Sequence, residues 1–233
     1  MARAGDLPAD DRRTSASAAL LRVGSVLAAV GPVFYIALTV VLGALWVGYD
    51  PIRDTQSELG AITSPAGIVM NVAGFMLLGI AILAFASVYA LVLRGGWLKW
   101  VVVGLVVFAG AGMFIVGFFP CDADCIDVTT TGQLHSVFSA PGAIGLPLAA
   151  MLSAFVFRTD GRFGIATQLI SFWLGLLSLL SGPIVALSGT ETLLGLLQRL
   201  GMWSALLWMS AITLRLTAIA RVESRADGQR PDC

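Results

Sequence analysis

Six long apolar runs constrain what this chain can become. They cover about Leu21 to Trp46, Gly67 to Leu93, Trp100 to Phe119, Leu134 to Phe157, Gly164 to Leu187 and Leu194 to Ile219, each close to or beyond the roughly 17–25 residues that carry a helix across a bilayer. Only 12% of the residues are charged, against about 25% in soluble domains, and the mean hydropathy is +0.90. Lipid offers the backbone no hydrogen-bond partner, so each run must satisfy its own amides as a helix. The expected fold is all-α: a polytopic six-helix transmembrane bundle forming one domain over residues 20–221, between charged tails at 1–19 and 222–233 that are expected to be disordered. The first run is too long for the roughly 7–15-residue core of a signal peptide and has no small-residue cleavage site, so it reads as a retained span.

Lys and Arg set the expected orientation. Twelve of the fourteen fall in the two tails, the helix ends beside them and the second and fourth loops; only Arg53 and Arg199 fall on the other side. That asymmetry places both termini in the cytoplasm of a cell membrane. The opposite, extracytoplasmic face is acidic, with Asp50, Asp54, Glu58, Asp122, Asp124, Asp127 and Glu191 against those two arginines. The basic face suits anionic inner-leaflet lipid, and nothing in the chain points to nucleic acid.

The cysteines divide in the same way. Cys121 and Cys125 bracket "CDADC" in the third, outward loop, where an oxidising compartment permits a disulfide and three intervening residues let the sulfurs meet in a turn. Cys233 is left as a free thiol. Inside the spans, "FAGAGMFIVG" and "APGAIGLPLAA" are small-residue surfaces for helix packing within one bundle. Pro32, Pro141, Pro147 and Pro183 are sites where a helix bends, and a bent fourth helix would open room for a lipid-sized ligand. The tryptophans are expected mostly near helix ends. The sixth run is longer than a hydrocarbon core of about 30 Å, so "ETLLGLLQRLG" is expected to begin as an interfacial segment, with Arg199 either reaching water or meeting a carboxylate.

Polar residues that are rare elsewhere collect on the outer rim. Thr55-Gln56-Ser57-Glu58 fits a capping box, Gly60 is placed to end so short a helix, and Ser64-Pro65 reads as an N-cap with a first-position proline. That geometry leaves Asp50, Arg53 and Asp54 without a structural reason, since exposed ion pairs contribute only about 0–1 kcal/mol. Asn71 enters the second helix, where a buried amide needs a partner. His135, the only histidine, sits in the first turn of the fourth helix, whose positive end favours the neutral imidazole. Carboxylate, neutral imidazole and arginine are the minimal parts for acid–base work on a lipid head group or isoprenoid. No G-x-S-x-G elbow, H-E-x-x-H, D-D-x-x-D or P-loop appears, and no cofactor is expected. "CDADC" with His135 can be drawn as a metal site, but an outward disulfide is the preferred reading and no metal is expected.

"DTQSELGA" with "SP" after the first helix, Asn71, "GFFPCD" after the third and "TGQLHSVFSA" opening the fourth resemble a bacterial membrane family built on a domain of unknown function, number 998. The resemblance covers about Val23 to Ala218, and a more distant one extends to FRAG, DRAM and Sfk-type membrane proteins. It implies six helices and marks Asp54, Ser57, Glu58, Asn71, Pro120 and His135; the distant relatives add an analogy to lipid distribution. The expectation is a protein that binds or organises a membrane lipid or isoprenoid through an outer polar pocket. Asp54, Glu58 and His135 are the candidate acid–base groups, and Arg53, Ser57, Asn71 and Arg199 the candidate binding groups. Two alternatives stand beside it: a membrane-embedded enzyme of terpene-cyclase or lipid-hydrolase type using Glu58 or Asp54 as acid and His135 as base, and a small transporter.

Overall fold

The computed structural model describes residues 9–188 and 191–227, with side chains over 18–182 and 192–226. The expectations for the outermost tails and Cys233 lie outside these. Among the described residues the protein is helical without strands. Its six long helices are α1 (Ala9–Leu45), α2 (Gly67–Val92), α3 (Trp97–Val116), α4 (Thr130–Thr159), α5 (Ile165–Ser188) and α6 (Leu194–Asp227). All six contain stretches long and apolar enough to cross a membrane. α1 and α6 run past their apolar segments into the polar stretches that flank them.

Each helix packs on its successor, α6 returns to α1, and α2 and α4 also touch α6. The bundle therefore closes on itself. α1 shows how lipid inverts the usual pattern: Ala28, Tyr35 and Leu42, seven residues apart, face inward, while Val23, Val30, Val33 and Val40 are more than half exposed. Lipid takes the valines at no cost, so association rests on close packing. The two small-residue stretches supply it between α3 and α4, where a Cβ on Gly112 would lie 2.8 Å from the Phe138 carbonyl and one on Gly145 2.9 Å from that of Leu105.

An aromatic core of Phe85, Tyr89, Phe157 and Trp208 fills one half of the bundle. Trp97, Trp100 and Trp173 are exposed, as interfacial aromatics would be, but Trp208 is buried. Its indole N–H donates to Ser171 Oγ at 2.9 Å, which removes the usual reason for a tryptophan to seek the interface.

The end carrying the basic loops is tied by an ion network. Arg162 pairs with buried Asp160 at 2.6 Å and with Glu223 at 3.0 Å, and Arg94 pairs with Glu223 at 2.7 Å. Burial alone would raise the Asp160 carboxyl, but hydrogen bonds from Arg162 and the backbone amides of Arg94 and Arg162 hold it below the usual range. These contacts join the α2–α3 loop, the α4–α5 loop and α6. The α1–α2 and α3–α4 loops and the start of α6 gather at the other end.

α2 is not a uniform helix. Residues Met70–Met76 wind as a π-helix between two α-helical pieces. Such wide turns concentrate at functional sites, and this one holds Asn71.

Candidate functional site

The site end is roofed by the α1–α2 loop, and its polar residues are engaged mostly with the loop itself. The capping box forms: Thr55 N donates to Glu58 Oε1 at 2.8 Å, and Glu58 N donates to Thr55 Oγ1 at 3.3 Å. A 3-10 turn over Ser57–Gly60 follows. Gly60 ends it, though close packing rather than a left-handed φ is the reason, since a Cβ there would come within 2.8 Å of both Asn71 Oδ1 and Phe75. Ser64 Oγ accepts from Ala66 N at 3.2 Å, but within a turn: α2 opens at Gly67 with Ala66 as its N-cap, so Ser64-Pro65 precedes the helix rather than starting it. Asp54 accepts from Asp50 N at 2.7 Å and from Arg53 Nε at 3.1 Å, and Asp50 accepts from Ile52 N at 2.9 Å. The charges at 50, 53 and 54 thus shape a tight loop.

That loop is clamped onto the start of α6. A helix leaves its first amides unpartnered, and here Gly195 N donates to Arg53 O at 3.0 Å and Leu196 N to Ile52 O at 2.8 Å. One turn on, Arg199 reaches back. Its Nη1 donates to Pro51 O (2.6 Å), Asp54 O (2.8 Å) and Gly195 O (3.0 Å), and its Nη2 donates to the Tyr49 hydroxyl. Tyr49 in turn donates to Thr55 O at 2.7 Å; burial pushes its phenol up to about 12, with Arg199 pulling the other way. Arg199 is buried and meets no carboxylate among the described residues. A 3-10 turn over Glu191–Leu193 leads directly into α6 at Leu194, and the loop caps the first amides of that helix.

The α3–α4 loop completes the roof. Cys121 and Cys125 form a disulfide with Cα atoms 5.0 Å apart, across a reversal in which Asp124 and Cys125 both take left-handed φ. Asp122 fastens this loop to α4. It accepts from Thr129 N (2.7 Å), Val128 N (2.9 Å) and Thr129 Oγ1 (2.8 Å), and these bonds, led by the Thr129 amide, hold its carboxyl below the usual aspartate range. Ile62 N donates to Cys121 O at 3.0 Å, joining the two loops.

Beneath the roof lie two side chains with bare acceptors. Asn71 Nδ2 donates to Gly60 O at 2.8 Å, which leaves Oδ1 buried without a partner among the described residues. His135 Nδ1 lies 2.7 Å from the Phe119 carbonyl. A carbonyl only accepts, so Nδ1 carries the proton and Nε2 is bare, also buried without a partner. The ring packs edge-on against Phe75, with centroids 5.9 Å apart.

Two cavities flank these elements. One, of about 680 Å³, is a cleft at the rim lined by Arg53, Asp54, Glu58, Tyr49 and Asp124. The other, of about 610 Å³, lies between the helices with an apolar lining from all six, including Tyr35, Phe75, Met113, Met202 and the α4 stretch Gly142–Pro147 between its two prolines. Gln56, Ser57 and Gln198 form its polar end. The seven candidate residues are therefore distributed. Arg53, Asp54 and Glu58 share the rim cleft, Ser57 touches the apolar cavity, Asn71 and His135 are buried under the roof, and Arg199 is inside the clamp. Sequence reading passed over Gln56, which is buried, accepts from Trp203 Nε1 at Oε1 (2.8 Å) and donates its backbone N–H to Gln198 Oε1 at 2.6 Å. It also counted Asp122 only as a surface charge, and nothing marked Gly195, where a Cβ would collide with the Asp54 carbonyl.

Residues 28–215, from within α1 to within α6 and including the whole roof, match a family described as protein of unknown function (DUF998). The chain belongs to the DUF998 family. This DUF998 protein thus combines a six-helix membrane bundle with a cross-linked polar roof. No curated protein and no solved structure matches the chain.

Proposed function

We propose that this DUF998 protein binds or organises a membrane lipid or isoprenoid, with an apolar chain seated between the helices and a polar head group at the roof. The observation that carries the reading is the interhelical cavity of about 610 Å³, whose lining is mostly apolar and whose polar residues include Gln56, Ser57 and Gln198 at the roof. Its volume falls in the range of about 300–1,000 Å³ typical of small-molecule sites, which also pair apolar walls with a few convergent polar groups. The carboxylates of Asp54 and Glu58 open on the rim cleft instead, so they lie outside the lining that would hold a chain. That separation favours binding over acid–base catalysis on the same ligand. The positive-inside rule places the basic end in the cytoplasm, and the roof then faces the extracytoplasmic side of the cell membrane.

The test is photo-crosslinking in nanodiscs with diazirine-bearing isoprenoid and acyl probes. Labelling concentrated on α4 residues 139–147 and on α6 near Met202 supports the reading. Labelling confined to the lipid-exposed valines of α1 removes it.

A further inference from the structure

The Cys121 and Cys125 sulfurs and a ring nitrogen of His135 all lie within 4.8 Å of one another. Two thiolates and an imidazole form a soft donor set that selects zinc(II) or copper(I) over magnesium or calcium. Tetrahedral zinc, with bonds of about 2.3 Å to sulfur and 2.0–2.1 Å to nitrogen, holds its ligand atoms roughly 3.3–3.8 Å apart. Once the sulfur–sulfur bond is open, the three atoms need only small movements to reach that spacing.

The histidine supplies an independent observation. His135 is 4% exposed, its Nδ1–H is held by the Phe119 carbonyl, and its Nε2 has no partner among the described residues. Metal-bound imidazoles are commonly oriented in this way, with one nitrogen donating to a carbonyl and the other left for the ion. A bare buried acceptor costs stability unless something electron-poor fills it. The loop that carries the cysteines is fixed to α4 by Asp122, so reducing the disulfide leaves the sulfurs anchored near the histidine.

We propose that Cys121, Cys125 and His135 form a redox-gated site for a thiophilic metal ion, with the disulfide as its closed state. Reduction by a dithiol delivers two electrons and two protons and gives two thiols while the reductant becomes a disulfide. A divalent ion then displaces both thiol protons and binds the two thiolates and Nε2, with its fourth position open. Hydrogen peroxide reverses the step: the thiolates lose two electrons to form the disulfide, the peroxide and two protons become two waters, and the ion is released. The proposal is independent of lipid binding.

The experiment is a cobalt(II) titration of the purified full chain in detergent, oxidised and after anaerobic reduction with the reductant removed. Reduced wild type is expected to bind one equivalent, with a thiolate-to-cobalt charge-transfer band and intense tetrahedral ligand-field bands that zinc(II) abolishes; oxidised wild type is expected to show neither. Cys121→Ser should weaken the charge-transfer band, and His135→Ala should lower affinity at least about tenfold and change the ligand-field bands. Reduced wild type without a charge-transfer band overturns the proposal, and that arm needs no variant to fold. So does a monodisperse His135→Ala protein with wild-type affinity and spectrum.

Discussion

At the scale of residues, the roof explains why a membrane protein keeps a charged stretch such as "YDPIRDTQSELG". Arg199 holds three backbone carbonyls and a phenol, and charge-assisted bonds of this kind contribute about 1.5–3 kcal/mol each. Arg199→Leu, which keeps the packing volume but strands those carbonyls, is expected to lower stability by at least about 3 kcal/mol, read as an earlier thermal-unfolding midpoint in detergent. Glu58→Gln tests the opposite limit. Glutamine serves a capping box as well as glutamate, so the variant should melt within about 0.5 kcal/mol of wild type; a large loss would mean the charge of Glu58 has another partner. Asp122 sets a pH dependence. Its folded carboxyl lies below the ordinary aspartate range, so the stability it contributes is present above that range and lost as pH falls through the lowered value. Melting followed from neutral pH downward should show this loss in wild type and a flatter profile in Asp122→Asn.

At the scale of elements, the helices were legible and their joints were not. Six apolar runs sufficed because lipid permits a spanning run no other backbone solution. The capping box at Thr55 and Glu58 was equally legible, since it depends on residues within a few positions; the start of α2 was not, since the helix opens at Gly67 rather than at Pro65. The clamp of Arg199 on Pro51 and Asp54 joins residues about 150 positions apart, and a local pattern gives no sign of it. The same holds for Gly195, which looks like any membrane glycine until the Asp54 carbonyl is seen against it. The π-wound segment around Asn71, which packs closely against Gly60 and Gly117, carried no local sequence signal either. The small-residue seam was legible and makes a prediction. Gly112→Leu, driven against Pro141 and the Phe138 carbonyl, should part α3 from α4 and cost about 1–3 kcal/mol, seen as a lower melting midpoint.

At the scale of the whole molecule, the ion network fixes the basic end and the roof closes the other, while the interior between them retains a 610 Å³ apolar space. Pro147 of α4 lines it, in a helix that runs unbroken through both of its prolines from Thr130 to Thr159. Gly182 gives a clean handle: it lines the cavity, and among the described residues a Cβ built on it meets nothing within 4 Å. Gly182→Leu should therefore fill the space without strain, and replacing a helical glycine should leave the fold as stable or slightly more so. The decisive measurement is native mass spectrometry of wild type and Gly182→Leu released from nanodiscs made with total lipid extract. Selective retention of one lipid class by wild type and its loss from an equally stable Gly182→Leu is the result expected; an identical lipid complement on both proteins, or none on either, would contradict the account.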